Sequence, residues 1–276
     1  MKIIYIFGAG GQDGRLCKKL LKSYFKKVLL VLIYKDKFVI DDKILPFRTN
    51  EEYIKLLNYI YDRYIADIIF YFAAVHYASY EQQTEDINKK MLFTNYTLPV
   101  YMLNLCNQSE KKTKFIYASS SLIFGQSKDS PQNEVTERNP ICTYSKQKVL
   151  TENELLKSST EKVKVYISIL YNHESVYRKS KFFSKKVISY CHGINHNIID
   201  LDQSLMLFNP DSEIDMGYAP EYVDIMIKLV LKKTEPGTYI ISTGKNLTVK
   251  NFAYKVFDIY NINKMKLNGH RFYAFT

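Results

Sequence analysis

The sequence predicts an α/β chain: a doubly wound parallel sheet followed by a smaller C-terminal lobe. Three observations predict it. Short apolar runs alternate with stretches of helical spacing across residues 2–170. The first run passes straight into a glycine turn, Gly8-Ala9-Gly10-Gly11-Gln12-Asp13-Gly14. Farther on, Tyr144-Ser145-Lys146-Gln147-Lys148 sets a phenol and an amine four residues apart, one turn of a helix.

Lys2–Phe7 is apolar and rich in Ile, a buried first strand. After the glycines, Leu16, Cys17, Leu20 and Leu21 recur at helical spacing. Strand, glycine turn and helix in that order are the context of a dinucleotide-binding βα unit. The spacing is Gly8-x-x-Gly11-x-x-Gly14. Gly8 permits the tight turn, Gly11 lets the backbone approach a pyrophosphate, and Gly14 lets helix pack on strand. The helix start, where Gln12 and Asp13 stand, offers free N–H groups and a positive dipole to phosphates. A Rossmann-like domain for NAD or NADP is expected.

Residues 27–34 read as the second strand, ending in Tyr34-Lys35-Asp36-Lys37. Asp36 would accept from the ribose 2′-OH of NAD, while Lys35 or Lys37 would meet the 2′-phosphate of NADP. Both readings stay open. Residues 51–64 form a helix and 66–74 a nearly continuous apolar strand, whose end places Ala73 by the cofactor. His76 beyond it reads as a loop histidine. Residues 88–106 are helical and carry Asn95. Residues 114–118 form a strand ending in Ser119-Ser120-Ser121, at the end of a parallel sheet where ligands bind. Thr143–Lys157 is a helix and 164–170 a strand.

After Tyr171 the pattern is less regular. A basic helix over 182–190, short strands at 198–199 and 205–207, a helix over 220–232, a strand over 238–242 and a helix over 249–260 are expected. Residues 1–171 are therefore assigned to the dinucleotide domain. Residues 172–276 are assigned to a substrate lobe partly interleaved with it.

A lone phenol ionises near ~10 and is a poor base at neutral pH. An ammonium beside it favours the phenolate. The pair can then take a proton from an alcohol while hydride leaves the same carbon. A hydroxyl at the strand end can hold that same oxygen. The chain has 24 tyrosines, so the Tyr-x-x-x-Lys spacing alone says little. Its place after the glycine turn and the serine-ended strand is what gives it weight.

The formal charge of +11 suits either nucleic acid or clefts for diphosphates. The lysines are spread along the chain rather than blocked together, so no nucleic-acid partner is expected. The four cysteines show no C-x-x-C spacing; reduced thiols and no metal are expected. The longest apolar run, 28–34, is too short to span a bilayer, and the start is too short for a signal segment. A cytoplasmic chain without a membrane partner is expected.

In order and spacing, this chain resembles the extended branch of the short-chain dehydrogenase/reductase family. Within that branch it is similar to the GDP-mannose 4,6-dehydratase group of nucleotide-sugar enzymes. The residues that carry the resemblance are Gly11-Gln12-Asp13-Gly14, Ala118-Ser119-Ser120-Ser121, Tyr144 with Lys148, Asn172-His173-Glu174-Ser175, and Asp215-x-Gly217 ahead of Tyr222-Val223. The resemblance implies Ser120 as the catalytic hydroxyl, Tyr144 as the base and Lys148 as the residue holding the nicotinamide ribose. It implies Asn172 and Lys186 on the nucleotide diphosphate, with Ser121 and Glu174 also on the substrate side, and Asn95 as a structural asparagine. It implies a homodimer or homotetramer through the helices around 88–106 and 143–157.

The chain also departs from that pattern. The family follows its serine or threonine with an acidic residue that takes the sugar C5 proton; here Ser121 and then Leu122 follow. Ile214 stands where the family has an arginine, and Pro46-Phe47 replace the aspartate of the third βα region. By the same resemblance, the closing segment that gives the family further nucleotide contacts is expected to be missing. The expectation is an NAD(P)-dependent enzyme acting at C4 of a GDP-linked sugar by oxidation, reduction or epimerisation. A 4,6-dehydratase in which another group acts at C5, with Glu174 the acidic candidate, stands next. A catalytically weak cofactor-binding sensor or partner protein is the reading from another class.

Overall fold

In the computed structural model, β1 (Lys2–Phe7) lies inside an eight-stranded sheet. The structure describes residues 1–76, 84–180, 182–200, 205, 207 and 209–262. After β1 come α1 (Gln12–Tyr24), β2 (Val28–Ile33), β3 (Lys37–Ile40), β4 (Lys43–Pro46), α2 (Asn50–Arg63) and β5 (Ile68–Tyr71). Next are α3 (Glu85–Leu92), a π-helical turn (Phe93–Thr97), α4 (Leu98–Gln108), β6 (Thr113–Ser120) and a 3-10 turn (Ser121–Phe124). The chain continues through α5 (Thr143–Lys157), β7 (Val163–Leu170), β8 (Asn172–Glu174), α6 (Phe183–Asn195) and β9 (Glu213–Tyr218). It closes with α7 (Ala219–Leu231), β10 (Gly237–Ile241), β11 (Asn246–Thr248) and α8 (Val249–Ile259).

The chain divides into two compact units. The larger holds Met1–Tyr171 and Ala219–Ile241; the smaller holds Asn172–Tyr218 and the chain from Ser242 onward. The sequence expectation is a lobe over 172–276, partly interleaved with the first domain. The return of α7 and β10 to the larger unit has a plain cause. β10 pairs in parallel with β7, and the apolar face of α7 is buried with the sheet.

The strand order of the large sheet is β10-β7-β6-β5-β1-β2-β3-β4. β1 alternates its side chains between two layers. Ile4 and Ile6 pack with Leu16 and Leu21 of α1 and with Val223 and Met226 of α7. Tyr5 and Phe7 pack with Leu57 of α2, Met102 of α4 and Leu155 of α5 on the other face. Helices on both faces of a mostly parallel sheet give the doubly wound class that the alternation predicts. The chain crosses to opposite sides of β1 on reaching β2 and β5, a topological switch point, and the glycine turn follows directly after β1.

Beyond β2 the sheet is antiparallel. β3 pairs with β2, Ile33 opposite Phe38, and forms with β4 a hairpin on the sheet edge, Ile40 opposite Lys43. The turn residues Asp41 and Asp42 both take positive φ, 47° and 62°. That is the handedness a two-residue hairpin needs, and aspartate tolerates it. Phe47, just after β4, packs edge-on against Phe38 and Tyr53. The segment around Pro46-Phe47 thus serves the core.

In the smaller unit β9 pairs in parallel with β8 and antiparallel with β11, while α6 and α8 share a core of Val187, Cys191, Ala253 and Phe257. Strands were expected at 198–199 and 205–207. Ile198 and Ile199 instead fold back, their N–H groups donating to the carbonyl of Gly193 at the end of α6. Leu205 and Leu207 lie in no strand, and residue 206 is outside the described residues. No helix among the described residues is long and apolar enough to cross a membrane.

Candidate active site

The carboxyl ends of β1, β5 and β6 lie side by side, and the expected residues of the larger unit gather there. Gly8 ends β1 with φ +82°, and the N–H groups of Gly8 and Ala9 both donate to the carbonyl of Ile33 at 3.0 Å. A Cβ on Gly8 would sit 2.8 Å from the backbone nitrogen of Ala73, so the chain after β5 runs against the turn. A Cβ on Gly14 would meet the Gly8 carbonyl oxygen at 2.3 Å. These contacts explain two of the glycines locally. Gly11 is the N-cap of α1, in extended conformation and without a side-chain cap. Gln12 and Asp13 open the helix, Gln12 donating to the Asp13 carboxylate at 3.4 Å. The amino end of α1 is thus left to backbone N–H groups, which fits a diphosphate.

Asp36 sits in the turn between β2 and β3. Its backbone carbonyl accepts from Phe47 N–H at 3.0 Å, and Tyr34 N–H donates to Lys37 O at 2.9 Å. The Tyr34 ring lies over Gly10, 3.2 Å from where a Cβ would stand.

Ser120 ends β6, and its hydroxyl accepts from Leu122 N–H at 3.3 Å, opening the 3-10 turn. Ser121 lies in that turn; Leu122 is 46% exposed. α5 starts at a capping box between Cys142 and Ser145. It carries Tyr144, half-buried, and Lys148, only 1% exposed. The Lys148 ammonium donates to the carbonyl of Ala118 at 2.7 Å. It lies 4.4 Å from the centre of the Tyr117 ring and 5.6 Å from that of Tyr144. Burial pushes its pKa down to about 7, and the charge of Glu152 acts against that.

Glu152 is a residue that sequence reasoning missed. It lies one turn beyond Lys148, 3% exposed, accepts a hydrogen bond from Ser119 Oγ and sits 3.7 Å from Arg138 Nε. Burial raises its pKa; Ser119, Arg138 and Lys148 pull it down. Its signal was available: Tyr144, Lys148 and Glu152 are spaced by four, and so share one face of α5. Asn95, fully buried, lies in the π-helical turn. Such a turn displaces backbone carbonyls from the helical ladder. Here Tyr71 Oη donates to the carbonyl of Thr94, and Tyr117 Oη and Thr151 Oγ1 donate to that of Asn95. His76, read as a loop histidine, meets the Tyr144 ring edge-on with centroids 4.6 Å apart.

The other expected residues belong to the smaller unit. Asn172 and Glu174 lie on β8, in register with Met216 and Tyr218. Glu174 pairs with Arg178 at 3.2 Å; burial raises its carboxyl while Arg178 lowers it. Lys186 is on α6. Asp215 accepts from the backbone N–H groups of Thr243 and Gly244 at 3.0 and 2.7 Å, and Ile214 packs on the apolar core of this unit.

A family model described as GDP-mannose 4,6 dehydratase matches residues 5–271. Curated relatives include GDP-mannose 4,6-dehydratase of Yersinia enterocolitica, 33% identical over 149 residues, 53% of this chain and 39% of that protein. GDP-mannose 4,6 dehydratase of Dictyostelium discoideum is 32% identical over 150 residues, 54% of this chain and 41% of that protein. The matches thus span about two fifths of those relatives' length. Among solved structures, RMD from Pseudomonas aeruginosa complexed with NADPH superposes with TM-score 0.77 at 15% identity, covering 95% of this chain and 85% of that one. UDP-glucose 4-epimerase of Thermotoga maritima gives 0.75 at 18%, covering 95% and 83%. At those identities the likeness is one of fold.

Proposed function

Since the chain belongs to the GDP-mannose 4,6 dehydratase family, we propose that it is an NAD(P)-dependent enzyme acting at C4 of a nucleotide-linked sugar, with GDP as the nucleotide. The observation that carries this reading is the buried Lys148 ammonium on the helix of Tyr144, 5.6 Å from that ring, at the strand end of Ser120. A buried lysine is costly unless it serves chemistry or is paired. The glycine turn and the uncapped start of α1 fit NAD or NADP. Bound there, the cofactor would supply a hydride acceptor and donor.

Tyr144 takes the proton of the C4 hydroxyl, and the Lys148 charge favours the phenolate. Ser120 holds the same oxygen. Lys148 would also hold the nicotinamide ribose. Asn172 and Lys186 bind the diphosphate, with Ser121 and Glu174 toward the sugar. Leu122 cannot accept a proton, which favours oxidation, reduction or epimerisation. Family membership supports a second reading, a 4,6-dehydratase in which another group acts at C5. We assign a homodimer or homotetramer through α3–α4 and α5, supported by the exposed side chains of Leu92 and Leu150, and a cytoplasmic setting.

The test is product mass after incubation with GDP-mannose, and separately a GDP-heptose, with NAD or NADP. Loss of two hydrogens with reduced cofactor supports C4 oxidation. Loss of water establishes the dehydratase and overturns the reading of Leu122. An unchanged mass with an altered NMR spectrum supports epimerisation. Tyr144→Phe is expected to cut turnover by about 10²–10⁴-fold; full activity in that variant sinks the mechanism.

A further inference from the structure

We infer that His76 is a second acid–base group of this site, exchanging the proton on the sugar carbon next to C4. This rests on the C4 reading above and deepens it.

The placement of His76 is built, and one side chain builds it. After β5 the chain runs against the glycine turn at Ala73. Asn95 then holds Val75 by both backbone groups: Val75 N–H donates to Asn95 Oδ1 at 2.9 Å, and Asn95 Nδ2 donates to Val75 O at 3.0 Å. The same Nδ2 donates to Gln147 Oε1 at 2.9 Å. Gln147 lies on α5 between Tyr144 and Lys148. One fully buried amide therefore pins the residue before His76 to the helix turn that carries Tyr144. The outcome is the imidazole edge-on to the phenol ring, 4.6 Å between centroids and 75° between planes. His76 is only half-buried, so the ring is not sealed in the core.

Chemistry gives that imidazole a task. Once C4 is a ketone, the C–H bonds on the neighbouring carbons are acidified. With the C4 oxygen at the Tyr144 hydroxyl, those carbons lie two bonds away, within reach of a group against the Tyr144 ring. Leu122 cannot take the proton. Imidazole is a side chain that can both take and return a proton. In the step, a His76 nitrogen takes the proton, and the C–H electron pair forms an enolate with its charge on the C4 oxygen. Tyr144 and Ser120 donate hydrogen bonds to that oxygen. The imidazolium, after exchange with solvent, returns a proton to the same carbon. No oxidant is needed beyond the C4 oxidation itself.

The test uses the full chain with NAD or NADP and GDP-mannose or a GDP-heptose in D₂O, reading deuterium in the sugar ring by NMR and cofactor reduction by absorbance. Wild-type protein is expected to place deuterium on the carbon next to C4. His76→Gln is expected to slow that exchange about a hundredfold, with reduced cofactor in the first turnover changed less than about threefold. His76→Phe keeps a ring against Tyr144 but has no nitrogen, and must lose exchange as well. Exchange at the wild-type rate in either variant overturns the assignment. So does a parallel fall of exchange and cofactor reduction in both variants, which is what a residue that only holds Tyr144 would give. Wild-type protein that reduces cofactor without exchange overturns it too. If wild-type protein gives neither reduced cofactor, a change of product mass nor an altered sugar spectrum with either sugar, the C4 reading itself fails, and this inference with it.

Discussion

Lys148 sets the stability and the activity of the site against each other. Its folded pKa, pushed down to about 7, lies below the ~10.4 of an unfolded chain. Below about pH 7 both states hold the proton, and the cost of burying the charge is fully present. From about pH 7 to ~10.4 the unfolded state binds more protons, so stability rises with pH. Lys148→Met is therefore expected to raise stability by about 1–2 kcal/mol below pH 7. The gain should shrink as pH rises through that window, while turnover falls about 10²–10⁴-fold. Thermal melts from pH 6 to 10 check the first part and steady-state rates the second. Glu152 acts in the opposite sense, since its charge raises the Lys148 pKa. Glu152→Gln should move the alkaline limb of the kcat/KM profile to lower pH; an unmoved limb would mean that Glu152 is only structural. Tyr144 and Lys148 were legible from spacing. Glu152 was there to be read at the next turn, but its partner Ser119 is 33 residues away and could not be.

At the scale of elements, the strand–glycine–helix unit is where local sequence and local structure agree. Two of its glycines differ in what they tolerate. A Cβ at Gly14 would collide with backbone, 2.3 Å from Gly8 O and 2.7 Å from Ala9 Cα, whereas one at Gly10 first meets a Tyr34 side-chain carbon at 3.2 Å. Gly14→Ala is expected to cost about 1–3 kcal/mol and to weaken cofactor binding. Gly10→Ala should cost clearly less. Urea titrations of both variants, with cofactor fluorescence alongside, check this. The β3–β4 hairpin was not legible because its turn is Asp41-Asp42, not the Asn-Gly or Asp-Gly that signals such turns. The π-helical turn was missed for a different reason. Its freed carbonyls are satisfied by Tyr71, Tyr117 and Thr151, which come from β5, β6 and α5.

For the whole molecule, the +11 charge is the quantity that matters for ligands. Part of it is offset locally. A cleft of about 450 Å³ at the amino-terminal edge of the large sheet is lined by Lys2, Lys112, Lys114, Lys162 and Lys164, with Asp67 and Glu161 among them. Lys2 pairs with Asp67 at 3.0 Å and Lys164 with Glu161 at 3.1 Å. The remaining excess should favour diphosphates. Raising salt from about 0.1 M to about 1 M shortens the screening length from ~10 Å to ~3 Å, and is expected to weaken nucleotide-sugar binding several-fold. A fluorescence titration at the two salt levels reads this directly; unchanged affinity would show that the charge plays no part.

What the sequence determined by itself was the α/β class, the order of most elements, the glycine turn and the Tyr144–Lys148 face. Each rests on periodicity or turn chemistry within a few residues, and such signals survive without knowledge of the rest of the chain. Only the tertiary structure decided that α7 and β10 return to the first unit, that Asn95 clamps Val75 to α5, and that His76 faces Tyr144. Those contacts join residues 20 to 71 positions apart. They depend on strand order and helix packing, which no local pattern records.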